Sequence, residues 1–179
     1  MSAFVAFLRE AGAHHDVVQW VSTSAPTLEA TWETCPRGDW LLAIAARLRA
    51  PSDSLARAAV DCARLVVADA DVPAAREALL VVEAVLDGTE PATHADEARD
   101  RAERAASDAD DPLAVAILLA AAAACGSVRD PSLAAASAAH AVEAAVAGVP
   151  DCAMMSALGH MHRETARVAR ARVARPTLP

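Results

Sequence analysis

Apolar residues recur along almost the whole chain at three- and four-residue intervals, the period of helices buried along one face. Breaks between these runs are made by Pro, Gly, Asp and Ser, residues that start and stop helices. Ser2 caps a first helix that runs to about residue 11 and is stopped by Gly12. A short second helix covers 15–21, and Pro26 and Thr27 open a third that Pro36 closes after Cys35. Gly38 and Asp39 read as a turn and an N-cap before a helix over 40–49. Pro51-Ser52-Asp53 starts the next, to about residue 68, and Pro73 opens one to residue 86 that Gly88 stops at a C′ position. The most polar helix covers 95–108. Asp111-Pro112 and Asp130-Pro131 open two more that end at Gly126 and Gly148, and Asp151 caps the last, to about residue 173.

Two of these runs predict specific packing. Ala95, Ala98, Ala102, Ala105 and Ala109 form a seam of small side chains that lets a neighbouring helix approach closely. Met154, Leu158, Met161, Thr165 and Val168 form a stripe of the same period on the last helix. The run 113–125 carries no charge and predicts a helix buried on all sides, being too short to span a bilayer, which takes about 20 residues. The helix opened by Pro73 is expected to expose a narrow polar stripe of Arg76, Glu83 and Asp87 and reads as central. The expected architecture is all-α: eight or nine mostly antiparallel helices, as a bundle or a short irregular helical solenoid, in one domain over 1–179.

Composition strengthens the helical reading and narrows the function classes. Of 179 residues 49 are alanine, the best helix former, whereas Phe, Trp and Tyr together make 3 %. Stacking platforms for single-stranded nucleic acid need aromatics that this chain lacks. A net charge of −8 argues against nucleic acid or an anionic membrane as partner and suits a basic protein surface. The charge is uneven. Asp96, Glu97, Asp100, Glu103, Asp108, Asp110 and Asp111 make an acidic stretch, and Arg163, Arg167, Arg170, Arg172 and Arg175 a basic one; as solvated faces, the two could pair with each other. The acidic stretch is the candidate partner-binding face.

Candidate chemistry is sparse. Cys35, Cys62, Cys125 and Cys152 are widely spaced with no CxxC, so they give no zinc pattern and read as reduced thiols of a cytoplasmic protein. Residues 2–8 are too short for a signal-peptide core and lack a positive n-region. His160 and His162 are two apart, a spacing that points them to different sides of a helix. Cys152 lies at a helix start that would favour a thiolate, but no local base accompanies it. No phosphate-binding glycine loop or nucleophile elbow occurs. No catalytic, cofactor-binding or metal-binding residue is assigned, and the chain is read as a non-enzyme. An enzyme or metal protein using Cys152, His140, His160 or His162 is the rival in that class.

The segment Trp32-Glu33-Thr34-Cys35-Pro36-Arg37-Gly38-Asp39-Trp40-Leu41-Leu42 is the most distinctive in the chain. It resembles the W-x-x-C-x-R-x-D-W-L-L signature of a family of helical immunity proteins from bacterial polymorphic-toxin systems. Cys62-Ala63-Arg64 matches that family's second element, Ala75-Arg76-Glu77-Ala78-Leu79 is similar to its third, and the likeness extends over about 25–175. The resemblance implies binding and blocking of a cognate protein toxin, without catalytic residues or cofactor. The alternative is a helical adaptor or regulatory domain with a different protein partner. The alanine seam can pair between chains as well as within one, so a homo-oligomer is compatible with the sequence.

Overall fold

The computed structural model describes residues 2–68 and 70–178, and these are all-α. They form ten helices rather than eight or nine, one for each run that the Pro, Gly, Asp and Ser breaks delimit. These are α1 (Ala3–Glu10), α2 (His15–Ser24), α3 (Leu28–Thr34) and α4 (Gly38–Arg47). After them come α5 (Ser52–Val67), α6 (Pro73–Leu86), α7 (Ala92–Asp108), α8 (Pro112–Gly126), α9 (Leu133–Val146) and α10 (Asp151–Arg172).

Several expected stops and starts have the predicted chemistry. The Ser2 and Thr27 hydroxyls accept from Val5 and Ala30 N–H, and the Asp111 carboxylate accepts from Leu113 N–H at 3.1 Å. Gly12, Gly88 and Gly148 all adopt left-handed φ where helices end. Two caps differ from expectation. Asp39 and Asp151 lie inside the first turn of α4 and α10, where they favour the positive helix end without capping it.

The end of α4 shows the same stop without glycine. Arg49 N–H bonds to Ala46 C=O and Ala50 N–H to Ala45 C=O, closing the helix with Arg49 at φ 56°. An L side chain in this region costs about 1 kcal/mol, and Arg49 is exposed, so nothing offsets the strain. Arg49→Gly is therefore expected to raise stability by about 0.5–1 kcal/mol, seen as a Tm increase of about 1–4 °C in thermal unfolding.

Helices α5, α8 and α9 form the hub: α8 contacts α5, α6, α7 and α9, and α5 contacts α4, α6, α8, α9 and α10. Helix α9 in turn touches α4, α5 and α10, so chain-distant helices close on one another instead of forming a row of nearest neighbours. The sequence pointed to α6 as the central helix. It packs on α5, α7 and α8 but leaves Leu80 63 % exposed. A helix with a narrow polar stripe can still lie at the periphery when its remaining face is apolar and uncovered. At the hub, the buried Ser137 hydroxyl of α9 lies 2.9 Å from the Ala59 carbonyl of α5 and 3.0 Å from the Ala120 carbonyl of α8. One polar side chain thereby ties three helices inside an alanine-lined core.

The alanine seam of α7 is buried at Ala95, Ala98 and Ala102, and it moves to Ala106 in the next turn, against α6 and α8. A second apolar cluster of Phe4, Val5, Leu8, Val17, Val18 and Val21 joins α1 to α2. Trp20 and Trp40 pack against both clusters, with ring centroids 6.0 Å apart and planes tilted by 60°.

Candidate interaction surface

The tryptophan motif folds into a corner where α3, α4 and α10 meet. Trp32 is buried, and Leu41 and Leu42 are fully enclosed. Arg37 donates to both carboxylate oxygens of Asp39, at 3.1 and 2.6 Å, and its guanidinium lies 4.3 Å from the Trp40 ring centroid. Gly38 does not act as a flexible turn. It is the first residue of α4, its φ is not left-handed, and its α-carbon lies against the backbone of Thr165 in α10. From α10, Arg170 donates to the carbonyls of Trp32 and Cys35, each at 2.5 Å, closing the C-terminal end of α3. Arg47 serves α1 in the same way through the carbonyls of Ala11 and Gly12, and Arg57 serves α6 through Leu86. Forked guanidiniums thus join helix ends to neighbouring helices.

A cleft of about 380 Å³ opens beside this corner, bounded by Trp40, Arg47, Asp16 and the Ala135–Ala139 side of α9. Its two guanidiniums, of Arg37 and Arg47, are already engaged by Asp39 and by the α1 carbonyls. The motif therefore builds the corner and keeps its polar groups for internal use.

The cysteines and histidines do not assemble. Cys35, Cys62 and Cys125 are buried and free, and Cys152 is exposed at the start of α10. Burial pushes the Cys35 thiol up to about 11 and that of Cys125 to about 12, and raises Cys62 as well. These three stay protonated and shielded at neutral pH. Native protein is expected to release colour from a thiol reagent at one cysteine of four, and denatured protein at all four. His140 lies 2.7 Å from Glu143. His162 is half-buried with Nδ1 unpartnered, and desolvation, helped by Arg37, holds its pKa below the usual histidine value. It lies ten residues beyond Cys152 on the same helix, about 15 Å away along the axis. Among the described residues, no three His, Cys, Asp or Glu side chains converge as a metal site.

The seven acidic residues divide into two groups. In the body of α7, Asp96 meets Arg129 at 2.6 Å, Asp100 meets Arg99 at 3.1 Å, and Glu103 lies 3.6 Å from the same Arg99. Glu97 is exposed and, among the described residues, has no ion pair: the Arg101 and His94 that share its shallow hollow face Glu77 and Glu90. Three of the four carboxylates at this end therefore face an arginine, two of them sharing Arg99. At the α7–α8 connection, Asp108, Asp110 and Asp111 are exposed, and among the described residues no ion pair engages them. The basic stretch does not pair with α7 at all. Arg172 reaches Asp61 of α5, and Arg175 reaches Glu29 and Glu33 of α3, since α10 packs on α4, α5 and α9.

Sequence reasoning missed one part of this surface. Helix α8 was expected to be buried all round, yet Val115, Leu119 and Ala123, four residues apart, are only half covered. With Asp110, Glu143 and Ala147, Val115 and Leu119 line a groove of about 440 Å³ between the start of α8 and the end of α9. The four-residue spacing was present in the sequence, but in a run without charge it could not show which face lacked a neighbour.

The last helix also departs from expectation. Thr165 and Val168 are buried, but no residue from 151 to 164 is, and Met154 and Met155 are 38 % and 74 % exposed. Among the described residues, no helix is long and apolar enough to cross a membrane. No family model, curated protein or solved structure matches the chain.

Proposed function

We propose that this chain is an immunity protein that binds a cognate bacterial toxin with a basic surface in the cytoplasm and silences it by occlusion. The observation that carries this reading is the unneutralised acidic corner of Asp108, Asp110 and Asp111, held by the ends of two packed helices. The net charge of −8 supports it, because complementary charge steers encounter and raises association rates at low ionic strength. The likeness of Trp32–Leu42 to the immunity-protein signature supplies the partner class. In this reading the signature residues build the fold and the acidic corner meets the partner.

Co-expression with the product of the neighbouring gene tests it. That product should arrest growth alone and be harmless beside this chain, and binding of the purified pair should weaken steeply with salt. Arrest that continues despite soluble, folded chain overturns the immunity reading and leaves the adaptor reading in its place.

A further inference from the structure

We infer that the groove between the start of α8 and the end of α9 is a docking site for a short protein segment carrying an apolar side chain flanked by arginine or lysine. The inference deepens the toxin-binding reading and rests on it only for the identity of the partner. Three observations define the occupant. The floor is apolar, made by Pro112, Val115 and Leu119 of α8 with Ala147 beyond α9, and its volume of about 440 Å³ accommodates one or two side chains. Its rim is acidic on both sides, with Asp110 before α8 and, on α9, Glu143, whose carboxylate lies 2.7 Å from His140. No arginine lines it, and exposed Asp108 and Asp111 flank Asp110 in the chain.

Charge complementarity selects a basic segment over an acidic or neutral one. The apolar floor sets this place apart from the charged face of α7, because a small desolvated anchor point gives more binding energy than an equal area of solvated charge. The groove also differs from the cleft at Trp40, where both guanidiniums are engaged internally, in that Asp110 has no ion-pair partner among the described residues.

Isotope-labelled protein titrated with a short helix-forming peptide, arginine on one flank and leucine on the other, provides the test. Two counterparts accompany it, one with Glu for Arg and one with Ser for Leu. The arginine–leucine peptide should shift the amides of Val115, Leu119 and Ala147, and each counterpart should bind at least about tenfold more weakly. Asp110→Arg with Glu143→Arg, both exposed positions that leave the core intact, should weaken the first peptide by a similar factor. Absence of binding, shifts centred on 96–103, or equal binding of the Ser counterpart would each overturn the groove.

The protection assay separates the two readings. Full protection by the Asp110→Arg, Glu143→Arg chain removes the groove from toxin binding while immunity stands. A peptide that seats in the groove of a chain that protects against nothing upholds the docking site and removes the toxin.

Discussion

Gly38→Ala is expected to lower stability by about 3 kcal/mol and Tm by about 6–12 °C, although alanine is the better helix former. A methyl group on Gly38 would lie 2.5 Å from the carbonyl oxygen of Thr165 and 2.6 Å from its β-carbon. These atoms belong to the backbone and first carbon of α10, so no flexible side-chain end can move aside. The helices must separate, loosening the contact that seats Leu41 and Leu42. Intrinsic propensity alone predicts the opposite sign, a gain of up to about 1 kcal/mol for replacing glycine within a helix. Thermal unfolding followed by circular dichroism decides between them, and an unchanged or higher Tm would show that α4 and α10 are not held at this separation.

The second large effect is expected at Arg170. Its two nitrogens occupy the carbonyls of Trp32 and Cys35, and α3 is a seven-residue helix too short to persist by itself. Arg170→Ala leaves both carbonyls unclamped and is expected to cost about 2–4 kcal/mol. Arg170→Lys keeps the charge but loses the planar fork, and is expected to cost about 1–2 kcal/mol. The two variants should also differ locally. When α3 frays, Cys35 becomes reachable from solvent, so thiol labelling of native protein should rise at Cys35 while Cys62 and Cys125 stay silent. Equal labelling of all three buried cysteines would indicate global unfolding instead and would show that Arg170 does not act through α3.

The interaction surface became specific only once long-range ion pairs were in place. Seven carboxylates in sequence suggested one continuous acidic face. Arg129, brought from the α8–α9 connection, pairs with the first of them, Asp96, and nothing in the local pattern marks that pairing. The α7–α8 corner keeps its charge because no arginine is folded against it. Its apolar complement comes from two further elements, α8 and α9, whose juxtaposition the sequence does not state.

What the sequence determined by itself is local: helical class, the glycine stops at residues 12, 88 and 148, the capping groups of Ser2, Thr27 and Asp111, and the buried part of the α7 alanine seam. The stops and caps depend on interactions within about one helical turn, where capping and propensity act directly, and the seam follows from the helical period along α7. Tertiary structure alone decided that α6 lies off the centre, that Gly38 is a contact rather than a hinge, that α10 leaves Met154 and Met155 uncovered, and that the basic stretch serves α3 and α5 instead of α7. The physical reason is degeneracy. In an alanine-rich chain many helix faces are equally able to pack, so the choice among them is made by which surfaces meet in space.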